Sequence, residues 1–171
     1  MTIEDDERRR ACVHEAGHAV AAVMRSGSDG LRGHKPIVRE DHSGYTHIRI
    51  QAIDEWFVTY AGCWAEAYYD FQGSSNEDED LVFEDFLAGV FLGQPEDLET
   101  LKKPLPYPKP PNSAENRGLL WWEGPTEQVW RLELEHVWTV ILAVADTYRD
   151  GLLHVTGDDI ERWLDTFRVT A

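Results

Sequence analysis

Apolar residues recur at helical spacing near the start of the chain, over residues 1–25. Acidic residues at 4–6 stand where the positive end of a helix favours negative charge, and Thr2 can accept hydrogen bonds from the first backbone amides. Gly27 comes after the last periodic residue, as is common beyond a helix end. The pattern predicts a first helix over these residues.

A pattern with a period of two residues comes next. Segments 37–40 and 45–51 alternate in the manner of short strands and flank the turn sequence DHSG. They predict a small antiparallel β-hairpin. Alternate residues of the second segment would share a face, with Thr46, Ile48 and Ile50 on one side and Tyr45, His47 and Arg49 on the other.

Helical spacing returns in the rest of the chain. It predicts helices over residues 54–71, from about 80 to 91, over 125–148, and a short last helix announced by Thr156. The Pro-rich stretch at about 102–113 has five Pro in eight positions and is expected to be an exposed, extended loop. It is interpreted either as a spacer or as a polyproline docking segment for a partner.

These elements predict a mainly α (α+β) fold, in which the hairpin lies beside the first helix. The chain has 171 residues, the size of one ordinary domain, and it contains no internal repeat. We therefore expect a single domain over residues 1–171. An apolar fraction of 42% with seven Trp argues against a disordered chain, because these side chains offset the cost of chain ordering when they are buried.

Charge and cysteine content limit the possible functions. The formal net charge is −16, so direct binding to a nucleic-acid backbone is not expected. Two cysteines are too few for a disulfide framework, and no window approaches the run of about 18 apolar residues that a membrane span requires. We expect a soluble cytoplasmic protein. Residues 50–101 contain thirteen acids and no Lys or Arg, which indicates a solvated acidic face or a cleft for cations or basic substrates.

The sequence His14-Glu15-Ala16-Gly17-His18 is an HExxH motif inside the first predicted helix. Two histidines four residues apart lie on one helix face, so both imidazoles can bind one Zn²⁺. Glu15 lies beside that line, where its carboxylate can accept a proton from a zinc-bound water. Gly17 is costly inside a helix, which predicts that another part of the chain approaches it closely.

A catalytic zinc needs a third protein ligand and an open fourth position. The candidates are four acids of the NEDED run and two further histidines, namely Glu77, Asp78, Glu79, Asp80, His47 and His136. Asp80 is the best placed, because it begins a predicted helix and would be held in a fixed direction. His47 is also a candidate for stabilising an oxyanion, with a surface position as the alternative.

Several segments resemble the FtsH-type metallopeptidases. ACVHEAGHAVAA at 11–22 is similar to the zinc helix of that family, GYT at 44–46 to the residues before its cleft strand, and AGCWAE at 61–66 to its AGRAAE motif. Residues 73–81 resemble a stretched form of its GASND-hydrophobic segment, whose Asp is the third zinc ligand. Residues 140–160 are similar to its closing helices. The resemblance covers roughly residues 8–165.

The resemblance implies a helical fold, zinc and the hydrolysis of peptide bonds. It implies that His14, His18 and Asp80 are the ligands, that Glu15 is the general base and that Glu66 orients a ligand. The extra acids in the stretched segment leave Asp78 as an alternative ligand.

We found no ATPase module or membrane anchor in the sequence. The implied enzyme is therefore an ATP-independent zinc metalloendopeptidase that takes peptides, unstructured segments or substrates delivered by a partner. Assembly into a homo-oligomer is suggested only by the family likeness. The alternative is a non-catalytic acidic binding or adaptor protein that retains the peptidase fold.

Overall fold

The computed structural model describes residues 3–31, 37–38, 44–74, 82–103, 125–149 and 155–170. The described part of the chain is mainly α-helical, as predicted. Seven α-helices follow in chain order: α1 Ile3–Ser26, α2 Glu55–Gly73, α3 Phe83–Gly93, α4 Pro95–Lys102, α5 Pro125–His136, α6 Trp138–Arg149 and α7 Gly157–Thr170. A 3-10 helix, Gly27–Leu31, extends α1. None of the described helices is both long and apolar enough to cross a bilayer.

Helices α1 and α2 form the centre of the fold. Helix α1 packs against α2, α6 and α7, and α2 packs in addition against α3, α4 and α5. The first two helices approach closely at Gly17, where a Cβ atom would overlap the carbonyl oxygen of Ala61 and the methyl group of Ala65. The prediction that another segment approaches Gly17 is confirmed. This close contact brings the HExxH face of α1 against α2.

The hairpin is present but shorter than its sequence pattern suggested. Strand β1, Ile37–Val38, pairs in antiparallel fashion with β2, Gly44–Tyr45. The residues that follow, 46–50, form no strand, but the predicted alternation persists, with even-numbered residues half-buried and odd-numbered ones exposed. The amide of Arg49 donates to the carbonyl oxygen of Gly30 at 2.9 Å. The segment is thus tied to the 3-10 helix that follows α1.

The prediction of one continuous helix over 125–148 is wrong. Helix α5 ends at His136 and α6 begins at Trp138. At Val137 the chain tightens, because its amide donates to the carbonyl oxygen of Leu134, three residues back, at 3.1 Å. The apolar stripe continues through the break, with Val137 buried, so spacing alone did not reveal it.

Two further features bear on the predictions. Thr156 and Asp159 cap α7 reciprocally: the Asp159 amide donates to Thr156 Oγ1 and the Thr156 amide to Asp159 Oδ2, which confirms Thr156 as a start signal. Helix α4 was not predicted, and Lys102, its last residue, was assigned to the Pro-rich loop. Residues 104–113 of that loop lie outside the described residues.

Candidate metal centre

His14 and His18 lie one turn apart on α1 and face the same point. Their rings meet edge to face with centroids 4.7 Å apart, and the two Nε2 atoms are 3.0 Å apart. Both side chains are largely removed from solvent, with 6% and 12% of their surfaces exposed. The helical spacing of the motif therefore brings the two imidazoles together.

Asp97 completes a group of three. It lies in the first turn of α4, and its Oδ2 atom is 3.0 Å from His14 Nε2 and 3.5 Å from His18 Nε2. Two ligands about 2.0–2.1 Å from a tetrahedral Zn²⁺ are about 3.3 Å apart. The three atoms thus form a triangle with the dimensions of one face of a zinc coordination sphere.

The other nitrogen of each ring is occupied by an acceptor. His18 Nδ1 donates to the carbonyl oxygen of Val58 at 2.8 Å, and His14 Nδ1 donates to Glu66 Oε2 at 2.9 Å. Because both Nδ1 atoms carry hydrogen, neutral rings present lone pairs at Nε2. Two lone pairs and the Asp97 carboxylate then converge without a donor between them, which is the arrangement that a metal cation satisfies. The residues present fit a bound divalent ion.

One face of α2 supports all three of these side chains. Gly62 lies against the His18 ring, Cys63 donates through its thiol to Asp97 Oδ2 at 3.5 Å, and Glu66 accepts from His14. These positions are within one helical turn of each other. Gln94, between α3 and α4, donates to the same oxygen of Glu66 at 3.1 Å. The AGCWAE segment thus forms the second layer of the centre.

The electrostatics of the centre favour positive charge. Burial lowers the pKa of His14, but the hydrogen bonds to Asp97 and Glu66 outweigh it and raise the pKa to about 10. Burial raises the pKa of Asp97, but bonds from His14 and His18 lower it well below its usual range. Burial and the neighbouring Asp97 raise the pKa of the Cys63 thiol. The three side chains are therefore stabilised by positive charge at the point where they converge.

Glu15 lies beside the three-residue group at the base of an open cleft. Its side chain is buried, and its Oε2 atom accepts a hydrogen bond from Thr46 Oγ1. The cleft has a volume of about 580 Å³. Its walls come from α1, from the segment after β2, from α2 and from the start of α4. A substrate in this cleft would reach both Glu15 and the converging ligand atoms.

Four site residues were predicted from the sequence, and the structure brings three of them together, namely His14, Glu15 and His18. Asp80, like Asp78, lies outside the described residues. His47 is exposed and packs on Tyr45, and it is not part of the described ligand group.

Asp97 was missed because it lies in a short acidic helix. A signal was nevertheless present in the sequence. Gly93 and Asp97 are separated by three residues, and Leu98 follows. This is the Gly-x-x-x-Asp-hydrophobic spacing of the GASND segment, without the additional acids that stretch residues 73–81.

Comparison of the chain with protein-family models, with curated proteins and with solved structures finds no match. The inference about function therefore rests on the geometry of the centre and on the motifs themselves.

Proposed function

We propose that this protein is a zinc-dependent metallopeptidase of FtsH-like type, in which His14, His18 and Asp97 hold the ion. The observation that carries the proposal is the convergence of two Nε2 atoms and one carboxylate oxygen beside Glu15 in an open cleft. Two nitrogen ligands and one oxygen ligand are a common donor set for catalytic zinc.

The likeness to FtsH-type peptidases gains support from the way three separate segments meet. The HExxH residues supply two ligands and the proposed base. Thr46 of the GYT segment bonds to Glu15, and Glu66 of the AGCWAE segment bonds to His14. These segments are far apart in sequence, so their meeting at one centre is not a consequence of local spacing.

The ion, when bound, supplies Lewis acidity to the scissile carbonyl and lowers the pKa of water. Glu15 takes a proton from the attacking water as the carbon–oxygen bond forms. It then delivers that proton to the amide nitrogen as the carbon–nitrogen bond breaks, so the products are a carboxylic acid and an amine. Glu66 and the carbonyl of Val58 hold the two imidazoles in their orientation.

The proposed substrates are peptides and unstructured protein segments. The segment after β2 runs along the cleft beside Glu15, and an extended peptide could lie against it. Peptide-bond hydrolysis at this centre would not require ATP, and a partner would have to deliver folded substrates.

Replacement of Glu15 by Gln tests this function. We expect wild-type protein to contain one zinc per chain and to cleave unstructured peptides. Glu15→Gln should lower the rate by about 10²–10⁴-fold while the zinc content stays the same. Glu99→Gln is the matched control, because Glu99 is exposed and pairs only with Lys102 among the described residues. Zinc-loaded wild-type protein that cleaves none of these peptides would overturn the proposal in favour of a non-catalytic binding or adaptor protein.

A further inference from the structure

Thr46 holds the side chain of Glu15 from the opposite wall of the cleft. Its Oγ1 atom is 2.5 Å from Glu15 Oε2 and 3.2 Å from the Glu15 carbonyl oxygen. A hydroxyl group has one hydrogen to donate, and the shorter distance falls in the range of charge-assisted O–H···O⁻ bonds. The carboxylate is therefore the main acceptor.

Gly44 restrains the same side chain from a second direction. A Cβ atom at this position would lie 2.7 Å from Glu15 Oε1 and 2.8 Å from its Cγ. The backbone of residue 44 thus limits the movement of Glu15 Oε1 and Cγ, and the hydroxyl of Thr46 holds Oε2. With only 4% of Glu15 exposed, the side chain has little room to rotate.

We propose that Thr46 is a positioning residue that fixes Glu15 for its role as general base. This inference rests on the proposed function. By donating to Oε2, the hydroxyl leaves the lone pairs of Oε1 to accept the proton from the attacking water. Thr46 directly follows β2 and lines the cleft, so the segment that a peptide would lie against also orients the base.

Valine and serine at position 46 separate the hydrogen bond from the shape of the side chain. Thr46→Val keeps the volume and removes the donor, and we expect kcat to fall about tenfold or more, since bonds to charged groups have this strength. KM should stay within about twofold, and zinc content should not change. Thr46→Ser should restore most of the rate. Thr147→Val serves as the control, because among the described residues the Thr147 hydroxyl bonds only to the Val144 carbonyl oxygen of its own helix.

A double-mutant cycle on the metal-free protein gives a readout that is independent of activity. In urea unfolding, Thr46→Val should lower the equilibrium constant for folding about tenfold when position 15 is still Glu. In a Glu15→Ala background the same change should have a clearly smaller effect, because the charged acceptor is gone and only the longer contact to the backbone carbonyl oxygen of residue 15 remains.

Two results would overturn the role of Thr46. One is a Thr46→Val enzyme with unchanged kcat, and the other is an equal loss of stability in both backgrounds. A wild-type protein that cleaves nothing would instead contradict the proposed function, and the cycle would still measure the Thr46–Glu15 contact by itself.

Discussion

Gly62 lies so close to His18 that a Cβ atom at position 62 would overlap the imidazole ring. The reason is helical geometry: the carbonyl of Val58 points along α2 toward the residue four positions later, which is Gly62. A side chain there would cover the oxygen that His18 Nδ1 contacts at 2.8 Å. The glycine therefore gives the ring access to its acceptor.

Gly62→Ala should displace His18 and weaken zinc binding. The methyl group would push the ring off Val58, and the loss of such a supporting bond costs about 10–100-fold in metal affinity. Competition with a chromophoric chelator measures this change. Gly89→Ala is the matched control, because no atom of the described residues lies within 4 Å of its Cβ position, so it should stabilise α3 by about 1 kcal/mol and leave zinc affinity unchanged. Wild-type affinity in Gly62→Ala would contradict the proposed role of this contact.

Asp97 and Asp80 are competing candidates for the third ligand. We expect Asp97→Asn to lose more affinity than the about 10–100-fold typical of a supporting residue, because it removes a ligand charge. Asp80→Asn should retain one zinc per chain. Metal analysis after dialysis against a weak chelator distinguishes the two variants. Loss of zinc in Asp80→Asn alone would return the assignment to the acidic run at 77–80.

The parts of the centre that were predictable from sequence are those that lie within one periodic element. His14, Glu15 and His18 are fixed relative to each other by α1, and the apolar spacing of α2 was equally clear. Position 66 could be linked to the centre only through family likeness, since nothing in its spacing shows that it contacts His14. Contacts between helices are set by packing, which a single sequence does not encode locally.

Helix α4 shows why the third ligand was harder to find. It has eight residues, of which only Leu101 is fully buried, so its periodic signal is weak. Pro95 at its first turn and the acids behind it are start signals, but they follow α3 after a single residue, Gln94. A similar limit applies at Val137, where a one-residue tightening leaves the apolar stripe unbroken. Short elements and local breaks are therefore the features that spacing resolves least well.

Glu66→Gln should weaken zinc binding although Glu66 contacts no metal in our proposal. The carboxylate accepts from His14 Nδ1 and from Gln94, so it fixes the ring and increases its basicity. We expect a loss of about 10–100-fold in zinc affinity with little change in the folded structure. Chelator competition and circular dichroism would check both expectations. Glu99→Gln is again the control. Equal zinc affinities for Glu66→Gln and Glu99→Gln would contradict a supporting role of Glu66 in metal binding.

The ion pair between Glu84 and Arg131 should make stability depend on pH. Arg131 donates to Glu84 Oε1 at 2.7 Å, and this bond lowers the pKa of Glu84 although burial opposes it. A carboxyl group whose pKa is lower in the folded than in the unfolded protein stabilises the fold at pH values above its unfolded-state pKa. This contribution disappears as the pH falls through its folded-state pKa. Because 40% of the Glu84 side chain is exposed, we expect at most about 1 kcal/mol.

Urea unfolding of the wild type and Glu84→Gln between about pH 3 and about pH 7 measures this contribution. The variant should be less stable at neutral pH, and the two curves should converge toward acid pH, where wild-type Glu84 is also uncharged. Glu135→Gln on α5 is the control, because Glu135 is exposed and has no hydrogen bond or ion pair with any described residue. The free energy of unfolding of Glu135→Gln should stay close to that of the wild type at every pH. A constant gap between wild type and Glu84→Gln at all pH values would mean that the carboxylate contributes through packing and not through its charge.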